Sequence, residues 1–188
     1  VGLSADRIRR EARLGDAEIA CVFGGPPCQG FSLIGHRVLD DPRNSLVLEF
    51  VRLVSELKAR TFVFENVKGL TVGSQRQFLV ELIAAFEAEG YDVRVPWQVL
   101  NAANYGVPQH RERLILLGSR KGMPLPEYPR ATTNRPGARK QVPDLPQGPT
   151  CGDALGDLPD ADRFSELLEH DTHPISKFGK PSAFAAEL

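Results

Sequence analysis

The sequence has few cysteines and no long apolar run, and each shortage excludes a class of protein. Its 188 residues include only 3 Cys, 1 Met and 1 Trp. Cys21, Cys28 and Cys151 form no CxxC pair and leave an odd count, which favours a reducing compartment over a disulfide framework. We predict no metal site. Because no apolar run approaches the roughly 18 residues of a membrane span, we expect a soluble cytoplasmic protein without a membrane partner.

The chain also has no excess of charge of either sign, since it contains 23 Lys and Arg and 24 Asp and Glu. This net charge of -1 gives no argument for a nucleic-acid or membrane partner. The local charge is less even. Residues 111–140 carry eight basic and two acidic side chains, and residues 151–188 carry three basic and eight acidic ones. With 41% hydrophobic residues, the chain is long enough to form an ordinary globular core.

Strand-like and helix-like patterns alternate over the first two thirds of the chain, which predicts an α/β layer. Four apolar runs have the length of strands, namely residues 19–23, 61–64, 93–100 and 114–117. The first two are continuous runs, typical of strands that are buried on both faces. Helices are predicted to begin near Asn44 and near Ser74, and Gly90 ends the second helix. After Gly118 prolines recur and the periodicity fades, which indicates an irregular segment.

The stretch VFGGPPCQGFS places two glycines, two prolines and a cysteine directly after the first predicted strand. Ligands of open α/β sheets bind beyond the carboxyl ends of the strands, so Cys28 lies at a position typical of active-site residues. A free cysteine is more often a small buried apolar residue, and that interpretation suits Cys21 and Cys151. A structural role suits Cys28 poorly, because glycine and proline form such a turn without a contribution from a thiol.

The second predicted strand ends in the same way, because TFVFENV places Glu65 and Asn66 immediately after Phe64. A lone Glu is usually a cap or a surface ion pair. Two neighbouring strand ends, however, bring a thiol and a carboxyl to one ligand. The combination with Cys28 therefore favours a functional Glu65.

A third stretch, QHRER, places Gln109, Arg111 and Arg113 at alternating positions. On an extended segment these three side chains point the same way, which suits recognition of a phosphate or of a base edge. A solvent-exposed strand edge shows the same alternation, so this pattern alone is weak evidence for a binding site.

PPCQGFS, ENV and QHRER, in this order and spacing, resemble the cysteine, glutamate and arginine motifs of the cytosine-5 DNA methyltransferases. Further stretches resemble the same family: DDPRNSL, the Gly90-Tyr91 pair, NAANYGVPQ and PTCGDALGDLP. The last of these is similar to the stretch that leads into the family's target-recognition region. The resemblance implies an α/β fold with a partial Rossmann-like S-adenosylmethionine-dependent methyltransferase sheet and flanking helices, followed by an irregular segment.

The resemblance also implies a division of the chain. Residues 1–120 would form a catalytic α/β segment, residues 121–148 a Pro-rich basic linker, and residues 149–188 the start of the target-recognition region. The glycine-rich FxGxG turn that holds the cofactor in the family does not occur in the sequence. We therefore expect an incomplete piece or a split subunit of the enzyme, inactive alone, with a complementing polypeptide that carries the absent motifs.

The implied catalytic residues are Cys28, Glu65 and Arg113. Cys28 would add to C6 of a cytosine flipped out of the duplex, Glu65 would act at N3, and C5 would take a methyl group from S-adenosylmethionine. The implied substrate-binding residues are Gln29, Ser32, Asn66, Gln109 and Arg111. The residues implied to contact the cofactor are Pro27 and Leu46.

The resemblance implies double-stranded DNA as the substrate and a cognate restriction endonuclease as a further partner. One alternative is the related enzyme that methylates cytosine in RNA such as tRNA, although Gly30-Phe31-Ser32 looks more like the DNA enzymes. Another is a non-catalytic interaction module, against which the intact Cys28, Glu65 and Arg113 argue.

Overall fold

The computed structural model describes residues 2–27, 45–73 and 75–187, which form two compact units. The first unit consists of residues 1–100 and 112–129, and the second of residues 101–111 and 130–188. The first unit contains the sheet and its helices, whereas the second contains mostly turns and short helices. The predicted division of the chain into three functional segments is a different kind of division, and it stays a prediction.

Four α-helices and five strands lie within the described residues. The helices are α1 (Ala5–Glu11), α2 (Ser45–Glu56), α3 (Gln75–Ala88) and α4 (Cys151–Leu155). The strands are β1 (Cys21–Gly24), β2 (Thr61–Val67), β3 (Tyr91–Val93), β4 (Gln98–Asn101) and β5 (Glu112–Arg120). Short 3-10 helices span Lys68–Thr71, Ala102–Tyr105, Ala161–Arg163, Ser165–Leu168 and Ala185–Glu187.

The sheet has the strand order β1-β2-β5-β3, and β4 also pairs with β5. β1 and β2 run parallel, with Cys21 opposite Thr61. β5 runs antiparallel to β2 over its whole length, from Thr61 opposite Ser119 to Val67 opposite Arg113. β3 is also antiparallel to β5. This mixed sheet with flanking helices confirms the predicted α/β class.

The core lies between α2, α3 and the face of the sheet that carries Phe62 and Phe64. The buried residues of α2 follow helical spacing, namely Val47, Phe50, Val51 and Val54. Those of α3 are Phe78, Leu79, Leu82 and Phe86. The ring of Phe62 stacks on that of Phe86 with centroids 3.9 Å apart, and burying one such side chain contributes about 1.5–3 kcal/mol. Gly90, with a φ of +84°, follows the end of α3 as predicted.

The first strand is less buried than predicted. Within the described residues β1 pairs with β2 alone, and its side chains alternate between partly buried and exposed positions. Val22 packs against the core. Phe23, on the opposite face of the strand, is 81% exposed. The prediction of burial on both faces is wrong among the described residues, because a continuous apolar run does not reveal that Phe23 is exposed on one face of the sheet.

The predicted strand over residues 93–100 is interrupted. Its residues belong to two strands, β3 and β4, with Pro96 between them. Proline has no backbone N–H and cannot donate a hydrogen bond to a neighbouring strand, so strands rarely continue through it. The predicted helix caps Asn44 and Ser74 lie outside the described residues.

Residues 121–129 pack within the first unit. The Arg94 guanidinium donates to the backbone carbonyl of Leu125 over 3.0 Å and also to that of Pro126. The Tyr128 hydroxyl donates to the carbonyl of Ile115 over 2.8 Å, and burial raises the pKa of that hydroxyl. Arg94 thus satisfies two carbonyl groups of the proline-rich segment, and Tyr128 links that segment to β5.

The second unit is organised by two buried asparagines. The Asn101 side-chain oxygen accepts hydrogen bonds from the backbone N–H groups of Ala103 and Arg111, over 3.1 and 3.3 Å. Asn134 holds the loop that follows it through the backbone of Val142 and Leu145. Asparagine suits such positions because its short amide both donates and accepts.

No helix in the described ranges has the length and hydropathy needed to cross a bilayer. Within those same ranges, no three His, Cys, Asp or Glu side chains come together as a metal ion would require.

Candidate active site

Glu65 lies inside β2 and not after its end. The strand continues to Val67 because β5 pairs with it as far as Arg113. The predicted end of this strand at Phe64 is therefore wrong by three residues. Side chains alternate along a strand, so Glu65 points to the face opposite to Phe64 and away from the core.

The antiparallel register brings Glu65 and Arg113 together. Glu65 is opposite Ile115, and Arg113 is two residues before Ile115, so the two side chains are diagonal neighbours on one face. Arg113 Nε lies 2.7 Å from Glu65 Oε1, with 27% and 38% of the two side chains exposed. Ion pairs with this much exposure add only about 0–1 kcal/mol to stability. The pair holds Oε1 of the Glu65 carboxylate beside the Arg113 guanidinium.

The second carboxylate oxygen of Glu65 faces the turn after β1. A Cβ placed on Gly25 would lie 2.5 Å from Glu65 Oε2, so only glycine allows this close approach. The turn formed by Gly25, Pro26 and Pro27 therefore lies against the Glu65 carboxylate. Cys28 is the next residue in the sequence and lies outside the described residues, as do Gln29 and Ser32.

Asn66 holds the same turn from the other face of β2. Its side chain is only 7% exposed, and its amide nitrogen donates to the carbonyl of Pro26 over 2.9 Å. Its amide oxygen accepts from the backbone N–H of Val67 over 2.9 Å. Asn66 thus fixes the position of the turn that carries Pro27.

The other predicted site residues are spread over the chain. Pro27 is exposed at the end of the turn, and Leu46, the second residue of α2, is 43% exposed. Arg113 belongs to the first unit, whereas Gln109 and Arg111 belong to the second. The structure brings Glu65 and Arg113 together on one face of β2, whereas Asn66 lies on the other face.

The residues of QHRER do not lie on one extended segment as predicted. β5 begins only at Glu112, and Gln109 lies in a bend where its N–H donates to the carbonyl of Val107 over 2.8 Å. The bend arises because Asn101 binds the N–H of Arg111 and closes the loop. Sequence reasoning missed this role of Asn101. An asparagine that directly precedes a helical turn was the available signal.

Solved structures place this fold among the methyltransferases. An E. coli prophage protein assigned as a DNA modification methyltransferase matches with a TM-score of 0.56 at 30% identity, over 84% of this chain and 40% of that chain. A mutant of Spodoptera frugiperda DNMT2 matches with a TM-score of 0.50 at 19% identity, over 86% of this chain and 45% of that chain, and supports the fold alone. The predicted methyltransferase sheet is thereby confirmed.

Sequence comparison narrows this class to one family. Type II methyltransferase M.XorII of Xanthomonas oryzae pv. oryzae is 55% identical over 188 residues, which is 100% of this chain and 41% of that protein. Type II methyltransferase M.AquIA of a Picosynechococcus strain is 39% identical over 165 residues, which is 82% of this chain and 66% of that protein. The model of the C-5 cytosine-specific DNA methylases matches residues 5–178, so the chain belongs to that family, as the motifs indicate. It spans about two fifths of the length of M.XorII.

Proposed function

We propose that the protein methylates C5 of cytosine in double-stranded DNA, with Cys28 as the nucleophile and Glu65 as the group that acts at N3. The observation that carries this proposal is the contact between the Glu65 carboxylate and Gly25, on the turn that leads into Cys28. Membership of the C-5 cytosine-specific DNA methylase family supports the substrate class and the position attacked.

The chemistry explains why a thiol and a carboxyl are needed together. The C5 atom of cytosine is a poor nucleophile until the Cys28 thiolate forms a bond to C6 and moves the C5–C6 electron pair toward C5. The Glu65 carboxyl then stabilises the resulting charge through a proton or hydrogen bond at N3. After C5 has accepted the methyl group, a base removes the C5 proton and the electron pair of that C–H bond re-forms the C5–C6 double bond. The sulfur–C6 bond breaks in the same elimination and releases the Cys28 thiolate.

The target base must leave the stacked duplex before Cys28 reaches C6, at a cost of a few kcal/mol. We assign the holding of the flipped nucleotide to Arg113 and to the residues that the motifs predict, Gln29, Ser32, Gln109 and Arg111. Asn66 contributes indirectly by holding the carbonyl of Pro26.

Two apolar residues, Pro27 at the end of the turn after β1 and Leu46 near the start of α2, fit a cofactor. The exposed Pro27 and the 43% exposed Leu46 are apolar but do not belong to the core, and we infer that both contact S-adenosylmethionine. That cofactor supplies, when bound, the electrophilic methyl group that C5 accepts.

We propose further protein partners in addition to these residues. We infer that a complementing polypeptide segment completes the cofactor site, because the sequence contains no FxGxG turn. Methyl transfer by the isolated 188-residue polypeptide at the rate of the natural protein would contradict this.

By analogy with the Type II relatives, we also infer a cognate endonuclease that cuts unmethylated DNA. Host extracts that cut DNA equally well with and without this methylation would contradict that partner.

The role of Glu65 is tested by Glu65→Gln in the natural full-length protein. We expect single-turnover methylation of mixed-sequence DNA to fall by about 10²- to 10⁴-fold, as is typical for positioned proton donors. The affinity for DNA should change little, because the carboxyl acts on the reacting base.

The matched control is Glu18→Gln, which removes an exposed carboxylate that pairs with Arg60 and Arg120 in the same unit. It should leave the methylation rate unchanged. An equal loss of rate in both variants, or methylation of RNA in place of DNA, would contradict the proposed function.

A further inference from the structure

The second unit contains a cavity of about 200 Å³. Gln109, His110, Arg135 and Thr150 supply its polar side chains, and prolines and one alanine form the rest of the wall. None of these lining residues carries a carboxylate. A cavity of this kind, with a cation and polar side chains but no acid, favours an anion.

Arg135 has no acidic partner among the residues that the structure describes. Within that part of the chain no carboxylate oxygen lies within 4.0 Å of its guanidinium. The same holds for four further cations of this unit, namely Arg111, Arg130, Arg139 and Lys140. Arg163 of the same unit, in contrast, lies 3.8 Å from Asp160. Among the described residues, Arg135 and these four basic side chains of the unit therefore form no ion pair within 4.0 Å.

The walls of the cavity are held in place by hydrogen bonds within the unit. Asn134, which precedes Arg135, is only 6% exposed and donates to the carbonyls of Val142 and Leu145 over 3.0 and 2.8 Å. Across the cavity, Cys151 Sγ donates to the carbonyl of Pro108 over 2.9 Å. A site whose backbone is already ordered loses less entropy when a ligand binds.

We propose that this cavity binds a phosphate of the DNA backbone, with Arg135 as the charged contact and Gln109 and His110 as polar contacts. The inference rests on the proposed function, in which DNA is the substrate. Guanidinium groups pair well with phosphate oxygens, and phosphate contacts fix the position of a protein on the duplex without reading its sequence.

The test is Arg135→Gln in the natural full-length protein, with DNA affinity measured by fluorescence anisotropy between 50 and 200 mM salt. Each phosphate contact contributes about 0.9 to the slope of log affinity against log salt. The variant should therefore lose about one unit of slope and bind DNA about fivefold to tenfold more weakly near 0.1 M salt.

Two further variants separate this effect from folding and from net charge. Arg135→Lys keeps the charge and should keep most of the slope. Arg163→Gln removes the same charge from the same unit but from a paired arginine, and it should leave the slope unchanged. An unchanged slope in Arg135→Gln, with normal methylation in the wild type, would overturn the phosphate site and leave the proposed function intact. A wild type that neither binds nor methylates DNA would contradict both.

Discussion

At the scale of single residues, the position of the Glu65 carboxylate depends on one contact to each of its oxygens. Arg113 binds Oε1 over 2.7 Å, and Gly25 leaves room for Oε2. Proton transfer and hydrogen bonding in a transition state depend on such placement, because an error of about 1 Å costs roughly 10² in rate. Gly25 therefore matters to the proposed chemistry although it carries no functional group.

We predict that Gly25→Ala slows single-turnover methylation by about 10²-fold. The added Cβ would lie 2.5 Å from Glu65 Oε2 and must displace the carboxylate. Because the substitution acts through Glu65, its effect should be much smaller when Glu65→Gln is already present. The rates of the two single variants and the double variant measure this.

The control for that cycle is Gly152→Ala, where the Cβ would make an ordinary contact of 3.5 Å with the side chain of Thr150. It should leave the rate unchanged. Full additivity of Gly25→Ala and Glu65→Gln would show that Gly25 acts elsewhere.

The sequence predicts these residues better than it predicts their geometry. The ENV and QHRER motifs identify Glu65 and Arg113, but the contact between them depends on how β2 and β5 are aligned. Register follows from packing across the whole strand pair and not from local spacing. For the same reason the bend at Gln109, which depends on the distant Asn101, was not predictable from alternation in QHRER.

At the scale of elements, β5 links most of the sheet, because it pairs with β2, β3 and β4. The apolar runs of the sequence predict that the main strands exist, but they do not predict the residues at which these strands end. β2 runs to Val67, beyond its apolar run, because ladder pairing with β5 continues through the polar residues Glu65 and Asn66. The break at Pro96 was readable from the sequence, since proline cannot donate to a ladder.

Gly118 is where β5 makes room for an aromatic ring of the core. It lies opposite Phe62 on β2, and a Cβ there would overlap that ring and lie 2.9 Å from the carbonyl of Asp92. We predict that Gly118→Ala lowers the free energy of unfolding by about 1–3 kcal/mol, as overpacking of a core does. Urea unfolding of the natural protein measures the change.

Gly69→Ala is the matched control, because its Cβ would lie 3.1 Å from the end of the Gln75 side chain and make an ordinary contact of 3.9 Å with Val67. A flexible side chain can move aside, so this variant should lower the free energy of unfolding by clearly less than Gly118→Ala does. Equal costs for the two variants would show that Gly118 is not a packing constraint.

At the scale of the whole molecule, the proposal joins a thiol, a carboxyl and a nucleic-acid substrate in one reaction. Family membership supports the proposed class of chemistry, and the contact of Glu65 with the turn at Gly25 supports the proposed nucleophile that follows in the sequence. The central claim is that Cys28 forms a covalent bond to the target base.

Capture of that bond is the most direct measurement. DNA that carries 5-fluorocytosine cannot lose its C5 substituent, so the bond between Cys28 and C6 cannot be released after methyl transfer. With the natural protein and S-adenosylmethionine, we predict a stable protein–DNA adduct that peptide mass mapping places on Cys28 and that Cys28→Ser abolishes. An adduct that survives Cys28→Ser, or one that maps to Cys21 or Cys151, would contradict the proposed mechanism.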